Sequence, residues 1–112
     1  ASNAPYIRLL QESSMKFILG AKPGDHEALF AVLDDSEKTQ YYETSDEKGF
    51  LHQFRFLNDA ALNKSNPDVR VNVLEYMQTD PKGKETVFSW VTNMHITQTN
   101  VFALMKGGRA RG

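Results

Sequence analysis

Cysteine is absent from the 112-residue chain, and its absence removes several classes of chemistry. Without a thiol the chain has no disulfide, no thiolate metal ligand and no cysteine nucleophile. This composition fits a reducing compartment, so we expect a cytoplasmic protein. No apolar run approaches the roughly 18 residues of a membrane span. The N-terminus also lacks the basic and apolar regions of a secretory signal. We therefore expect no membrane partner.

A large net charge is also missing. The 13 basic and 14 acidic residues leave a formal charge of −1, so no overall positive field attracts nucleic acid. The charges are unevenly distributed, however. Residues 1–81 carry 8 basic and 13 acidic side chains, net −5, whereas residues 82–112 carry 5 basic and 1 acidic, net +4. Any attraction to a polyanion is expected from the C-terminal third.

Length and apolar spacing predict a single domain, residues 1–112, with three helices. The first covers about 4–13. The second covers about 25–35, with Asp25 as its N-cap. The last begins after Thr97 or Thr99 and ends at Gly107 as the C-cap.

Alternating or short apolar runs predict five strands. Turn signals at 45–49 and 80–83 connect two pairs of them as hairpins, and a polar connection is expected over 58–67. The fold class is therefore α+β, a mainly antiparallel sheet with flanking helices. The predicted strands cover 15–22, 39–44, 50–57, 69–78 and 87–92.

The three histidines show no metal-ligand spacing. His26 lies between Asp25 and Glu27 at a predicted helix start, where helix capping is favoured over acid–base chemistry. His52 shares a strand face with phenylalanines, which favours a partly buried structural role over a ligand role. His95 has no candidate partner in the sequence. We predict no catalytic residue and no metal ligand in this chain.

Four aromatic residues allow two interpretations: Phe54, Phe56, Phe88 and Trp90. They could form a base-stacking platform for single-stranded nucleic acid. Core packing is favoured, because a small domain needs large apolar side chains inside. Trp90 is therefore expected to be mostly buried.

The C-terminal stretch FSWVTNMHITQTNVFALMKGGRAR, residues 88–111, resembles the end of the catalytic domain in DDE-type transposases of bacterial insertion sequences. That family has a strand F-x-W-V-T-N, a helix I-T-x-x-N-V-x-x-L, and then G-R-x-R-W-x-I-E. Arg109 and Arg111 match its two arginines. Gly112 stands where the family has Trp, and the catalytic Glu would lie three residues beyond it.

The N-terminal part is similar to the family segment after the second catalytic Asp. Asn3 and Pro5 match the pattern Y-x-N-x-P, where Ala1 replaces the Tyr, and 20–26 match G-x-K-P-G-D-H. In the family, three carboxylates hold two Mg²⁺ ions for phosphoryl transfer. All three would fall outside this chain. The resemblance therefore implies Mg²⁺ for the intact transposase, no cofactor here, and no cleavage of DNA by this chain alone.

The resemblance implies an incomplete ribonuclease-H-like domain with a β-rich insertion, from a protein of DNA transposition. It makes DNA phosphates the expected partner, bound weakly and without sequence preference by Arg109, Arg111, Lys106 and, less directly, Lys22. Two alternatives stay open. One is a non-enzymatic, self-associating module left by a degenerate transposase gene. The other is a small-molecule site between sheet and helix, near His52 and Phe54.

Overall fold

The computed structural model describes residues 3–111, except for the side chain of Arg111. No helix within these residues is long and apolar enough to cross a membrane. The helices are α1 (Ala4–Glu12), α2 (Glu27–Asp35) and α3 (Val101–Arg111), and a single 3₁₀ turn covers Pro23–Asp25. The strands are β1 (Ile18–Gly20), β2 (Gln40–Ser45), β3 (Leu51–Ala61), β4 (Arg70–Thr79) and β5 (Glu85–Thr92).

The five strands form one antiparallel sheet in the order β1-β5-β4-β3-β2. Strands β2 to β5 are therefore a meander, which agrees with the mainly antiparallel sheet predicted from the apolar runs and turn signals. The short β1 pairs with β5, where Ile18 lies opposite Thr92. The α+β class is confirmed. Strands β1 and β2 form the two edges of the sheet.

The sheet separates two apolar clusters because strand side chains alternate between its faces. Helix α3 covers one face, where Val101 and Met105 pack with Phe54, Tyr76 and Trp90. Helices α1 and α2 cover part of the other face, and their buried residues Ile7, Leu29 and Leu33 pack with strand residues such as Val71, Val73 and Val91.

Two hairpin turns of similar construction join β2 to β3 and β4 to β5. Asp46 Oδ1 accepts from the backbone N–H groups of Lys48 and Phe50, at 2.9 and 3.0 Å. Asp80 Oδ1 accepts in the same way from the N–H groups two and four residues on. Gly49 has φ +85° and Gly83 has φ +90°, values that glycine adopts without steric cost. These side-chain bonds fix both turns, and the turns fix the register of their hairpins.

The predicted polar connection over 58–67 is wrong in its first half. Strand β3 continues to Ala61 through a bulge between Leu57 and Ala60. Asp59 takes a positive φ of 59° at this bulge. The extra residue breaks the period-two pattern, so the sequence signal ends where the strand does not.

Two predicted helix ends are also wrong. Helix α2 is preceded by His26 at the N-cap, not Asp25, because Asp25 belongs to the 3₁₀ turn. Helix α3 does not end at Gly107 but continues to Arg111. Glycine is needed inside this helix, since Gly108 packs directly against Trp90. The first strand is also shorter than predicted, three residues instead of eight.

Candidate functional site

A groove of about 570 Å³ lies between the β2–β3 turn and α3, above the face that carries the aromatic residues. We call it the α3 groove. Its wall includes Lys48 from the turn, His52 from β3, Gln78 from β4, and Lys106 and Arg109 from α3. Phe50, Phe102 and Met105 supply apolar lining. The groove therefore combines cationic groups with an aromatic base.

A chain of hydrogen bonds crosses the sheet beside this groove. His52 Nε2 lies 2.9 Å from Asp46 Oδ2, and His52 Nδ1 lies 2.6 Å from the Tyr76 hydroxyl oxygen. The Tyr76 hydroxyl is 3.3 Å from Gln78 Oε1, which also accepts from Arg109 Nη1 at 3.3 Å. Asp46 in the turn is thus connected to Arg109 on α3 through three intermediate side chains.

The environment shifts the ionisation of two members of this chain. The hydrogen bond from His52, followed by the backbone N–H of Phe50, lowers the pKa of the Asp46 carboxyl. Burial raises the pKa of the Tyr76 hydroxyl, against a smaller opposing effect of the Arg109 charge. At neutral pH the site therefore holds a carboxylate and a protonated phenol.

The aromatic residues form a row on the α3 face. Tyr42, Phe54, Tyr76, Phe88 and Trp90 follow one another with ring centroids 4.9–6.1 Å apart. Trp90 is 4% exposed, and Phe54 and Phe56 are buried beneath the helix. The core interpretation is therefore confirmed for these three residues. Phe88 is half-buried and carries Arg109 above its ring.

Arg109 and Lys106 each have an aromatic ring as a partner. The Arg109 guanidinium lies 4.7 Å from the Phe88 ring centroid, and Lys106 Nζ lies 5.1 Å from that of Phe102. These are cation–π contacts. Within residues 3–111 neither side chain has a carboxylate within the 4.0 Å of an ion pair. Their charge is therefore available to a ligand.

The remaining arginines with described side chains are neutralised locally. Arg55 pairs with Glu75 and Asp34, and the hydrogen bond to Glu75 is the main cause of its raised pKa. Arg8 pairs with Asp68, and Arg70 pairs with Asp59. Among the arginines with described side chains, Arg109 alone thus has no carboxylate partner.

Lys22 does not line the α3 groove but lies at a second depression near Trp90. A depression of about 850 Å³ there is lined by Lys22, Trp90, Gly108 and Arg109. Arg109 lines both the depression and the α3 groove. The structure therefore brings Lys22 and Lys106 to two openings that share Arg109. The side chain of Arg111 lies outside the described residues.

Asp46, Lys48, Tyr76 and Gln78 were not singled out in the sequence. The register of β3 against β4 would have identified Tyr76 and Gln78, because Gln78 is opposite His52 and Tyr76 is opposite Phe54. That register depends on the β3–β4 connection, which the bulge obscured. The turn residues were identified only as turn formers, because spacing alone does not show where a turn side chain points.

The other two histidines do not join this site. His26 is buried at the start of α2, and burial lowers its pKa. His95 is exposed in the loop before α3. In the part of the chain that the structure describes, no three His, Cys, Asp or Glu side chains converge as metal ligands.

Comparison with protein-family models, with curated proteins and with solved structures gives no match.

Proposed function

We propose that this chain is a segment of a DDE-type transposase that contacts the DNA backbone through Arg109, Lys106 and Lys22. Their role is to position phosphates and not to read bases. Arg111, the second matched arginine of the motif, is proposed to act with them.

One observation supports this proposal most. Arg109 and Lys106 stand one turn apart on α3, over aromatic rings, and have no carboxylate partner among the described side chains. A guanidinium fixed over a ring keeps its outward N–H groups free for phosphate oxygens. A solvated basic tail would not hold its cations at defined positions.

The family motifs supply the wider context of the proposal. The chain matches the segment between the second and third catalytic carboxylates of the transposases that it resembles, where a β-rich insertion interrupts a ribonuclease-H-like fold. An antiparallel sheet with flanking helices is compatible with such an insertion. No residue of this chain matches a catalytic carboxylate of the family, so phosphoryl transfer is not assigned to it.

The test is binding of a fluorescent duplex followed by anisotropy against salt. Three neutralised phosphates give a log–log slope of about −2.7. We expect a Kd of roughly 0.1–1 mM at low ionic strength, lost near physiological salt. Arg109→Ala together with Arg111→Ala should remove most of the binding. The control is Arg8→Ala, which removes an arginine whose charge is already paired with Asp68. Equal losses in the two variants, or preference for one DNA sequence, would overturn the proposal.

A second proposed function, self-association, is favoured by an uncovered part of the sheet. On the face opposite α3, Tyr41 is 65% exposed and Val87 is 54% exposed. Tyr41 also belongs to the edge strand β2, whose outer backbone groups have no neighbouring strand. Such an edge and face can pair with a second copy of the chain.

A further inference from the structure

We infer that the α3 groove binds a phosphate group, with Lys48 completing the cationic site and His52 setting its affinity through protonation. This inference rests on the proposed function, and it adds residues and a regulation that the basic C-terminal segment does not contain. The ligand chemistry is a phosphate oxyanion, from either a DNA backbone or free phosphate.

The charges lining the groove favour an anion. Lys48, Lys106 and Arg109 are positive, and Asp46 is the only carboxylate among the lining residues described. Lys48 comes from the β2–β3 turn and the other two cations come from α3, so the positive groups face the groove from two sides. Asp46 opposes phosphate binding, but its Oδ2 is paired with His52 and its Oδ1 with two backbone N–H groups.

Protonation of His52 changes both the charge and the hydrogen bonding of the site. With a neutral imidazole, Nε2–H donates to Asp46 and the Tyr76 hydroxyl must donate to Nδ1. Gln78 Oε1 then accepts no hydrogen bond from Tyr76. With an imidazolium, Nδ1–H donates to Tyr76, whose hydroxyl then donates to Gln78 Oε1. That oxygen already accepts a hydrogen bond from Arg109. The hydrogen-bond chain is then continuous from Asp46 to α3.

Charged and titratable groups face His52 from three elements. The turn presents Asp46 and Lys48, β4 presents the Tyr76 hydroxyl, and α3 presents Lys106 and Arg109. A bound phosphate adds negative charge to the groove, so phosphate and proton should bind cooperatively.

The first experiment titrates inorganic phosphate, and separately a short duplex, into the folded chain between about pH 8 and about pH 5.5. Binding is followed by NMR shifts of α3 and turn amides. We expect the affinity for the duplex to rise about fivefold on acidification, as one added charge within ~10 Å of the ligand would give. The duplex is the ligand for this comparison because its phosphodiesters keep one negative charge each over this pH range, whereas inorganic phosphate loses charge on acidification. His52→Gln should abolish this rise, and the control His95→Gln should keep it. The same rise in both variants would overturn the inference.

The second experiment needs no buried substitution. Lys48→Gln should weaken the binding of both ligands about fivefold. The control is Lys64→Gln, which removes an exposed lysine in the β3–β4 connection and should leave binding unchanged. Duplex binding that depends on Arg109 but not on Lys48 would show that the α3 groove is not the phosphate site, and it would leave the proposed function intact. Phosphate binding in the groove without duplex binding would identify free phosphate as the ligand and overturn the proposed function instead.

Discussion

Gly108 lets α3 lie against the sheet because it has no side chain. A Cβ at this position would lie 2.7 Å from the Cε2 and Nε1 atoms of Trp90. Gly107 is different, since a Cβ there would meet nothing within 4 Å. Two adjacent glycines in one helix therefore have opposite structural value.

We expect Gly108→Ala to destabilise the fold by about 1–3 kcal/mol, because Trp90 or the helix must move to admit a methyl group. Gly107→Ala should instead stabilise it by up to about 1 kcal/mol through helix propensity alone. Thermal unfolding followed by circular dichroism measures both. A rise in the thermal midpoint of Gly108→Ala would contradict the close contact of the helix with Trp90.

The Asp46 carboxyl should contribute to acid sensitivity. Its pKa in the folded chain is lowered by the His52 and Phe50 hydrogen bonds, relative to an unfolded value of about 3.9. Its stabilising effect is therefore complete above about pH 4 and is lost as the pH falls through the folded pKa. We expect the thermal midpoint to fall less steeply below about pH 4 in Asp46→Asn than in the wild type. Glu47→Gln removes the same charge from the neighbouring exposed residue and should behave like the wild type.

At the scale of the elements, strand β5 has neighbours on both edges and on the α3 face. It lies between β1 and β4, and α3 covers one of its faces. Trp90 on this strand stacks on Phe88 at 5.9 Å between centroids and is 4% exposed. Replacing it affects the strand and the docking of α3 together.

Trp90→Ala should cost about 3–5 kcal/mol, a large part of the 5–15 kcal/mol typical of a whole domain. Denaturant unfolding followed by circular dichroism gives the value. Trp90→Phe keeps an aromatic ring and should cost markedly less. An unchanged midpoint in Trp90→Ala would contradict the core role and would favour a stacking role for the row of rings.

The meander could be predicted because β3 and the first half of β4 alternate and two turns carry an Asp-x-x-Gly pattern. The bulge at Asp59 could not, since the inserted residue removes the alternation on which a strand prediction depends. The sequence also did not predict that α3 continues to Arg111. Gly107 and Gly108 indicate a helix end by propensity, and the contact with Trp90 explains the place of Gly108, but not of Gly107, inside the helix.

Of the cations that line the α3 groove, Lys106 and Arg109 were predicted from the sequence and Lys48 was not. Arg109, Lys106 and Lys22 follow from charge distribution and motif. The chain from Asp46 through His52 to Gln78 requires the hairpin register and side-chain directions, which sequence spacing does not supply. His52 was expected to be partly buried and is in fact buried, and its two hydrogen-bond partners lie 6 and 24 residues away in the sequence.

At the scale of the whole molecule, the two faces of the sheet are unequally covered. Helix α3 covers the aromatic face. On the opposite face, Val87 forms a cross-strand row with Met77, Gln53 and Glu43, and this row is half-buried to exposed. A second copy that pairs along β2 or stacks on this face would remove apolar surface from water.

We therefore expect dimers or larger species at micromolar concentration, measured by sedimentation velocity. Val87→Lys places a charge on the uncovered face and should shift the chain toward the monomer. Thr86→Lys is the matched control, because it adds the same charge to the adjacent residue on the other face. If both variants lower the association equally, general charge repulsion explains the effect and the face has no special role. A wild-type chain that stays monomeric at high concentration would contradict the self-association proposal and leave phosphate binding by α3 as the function to pursue.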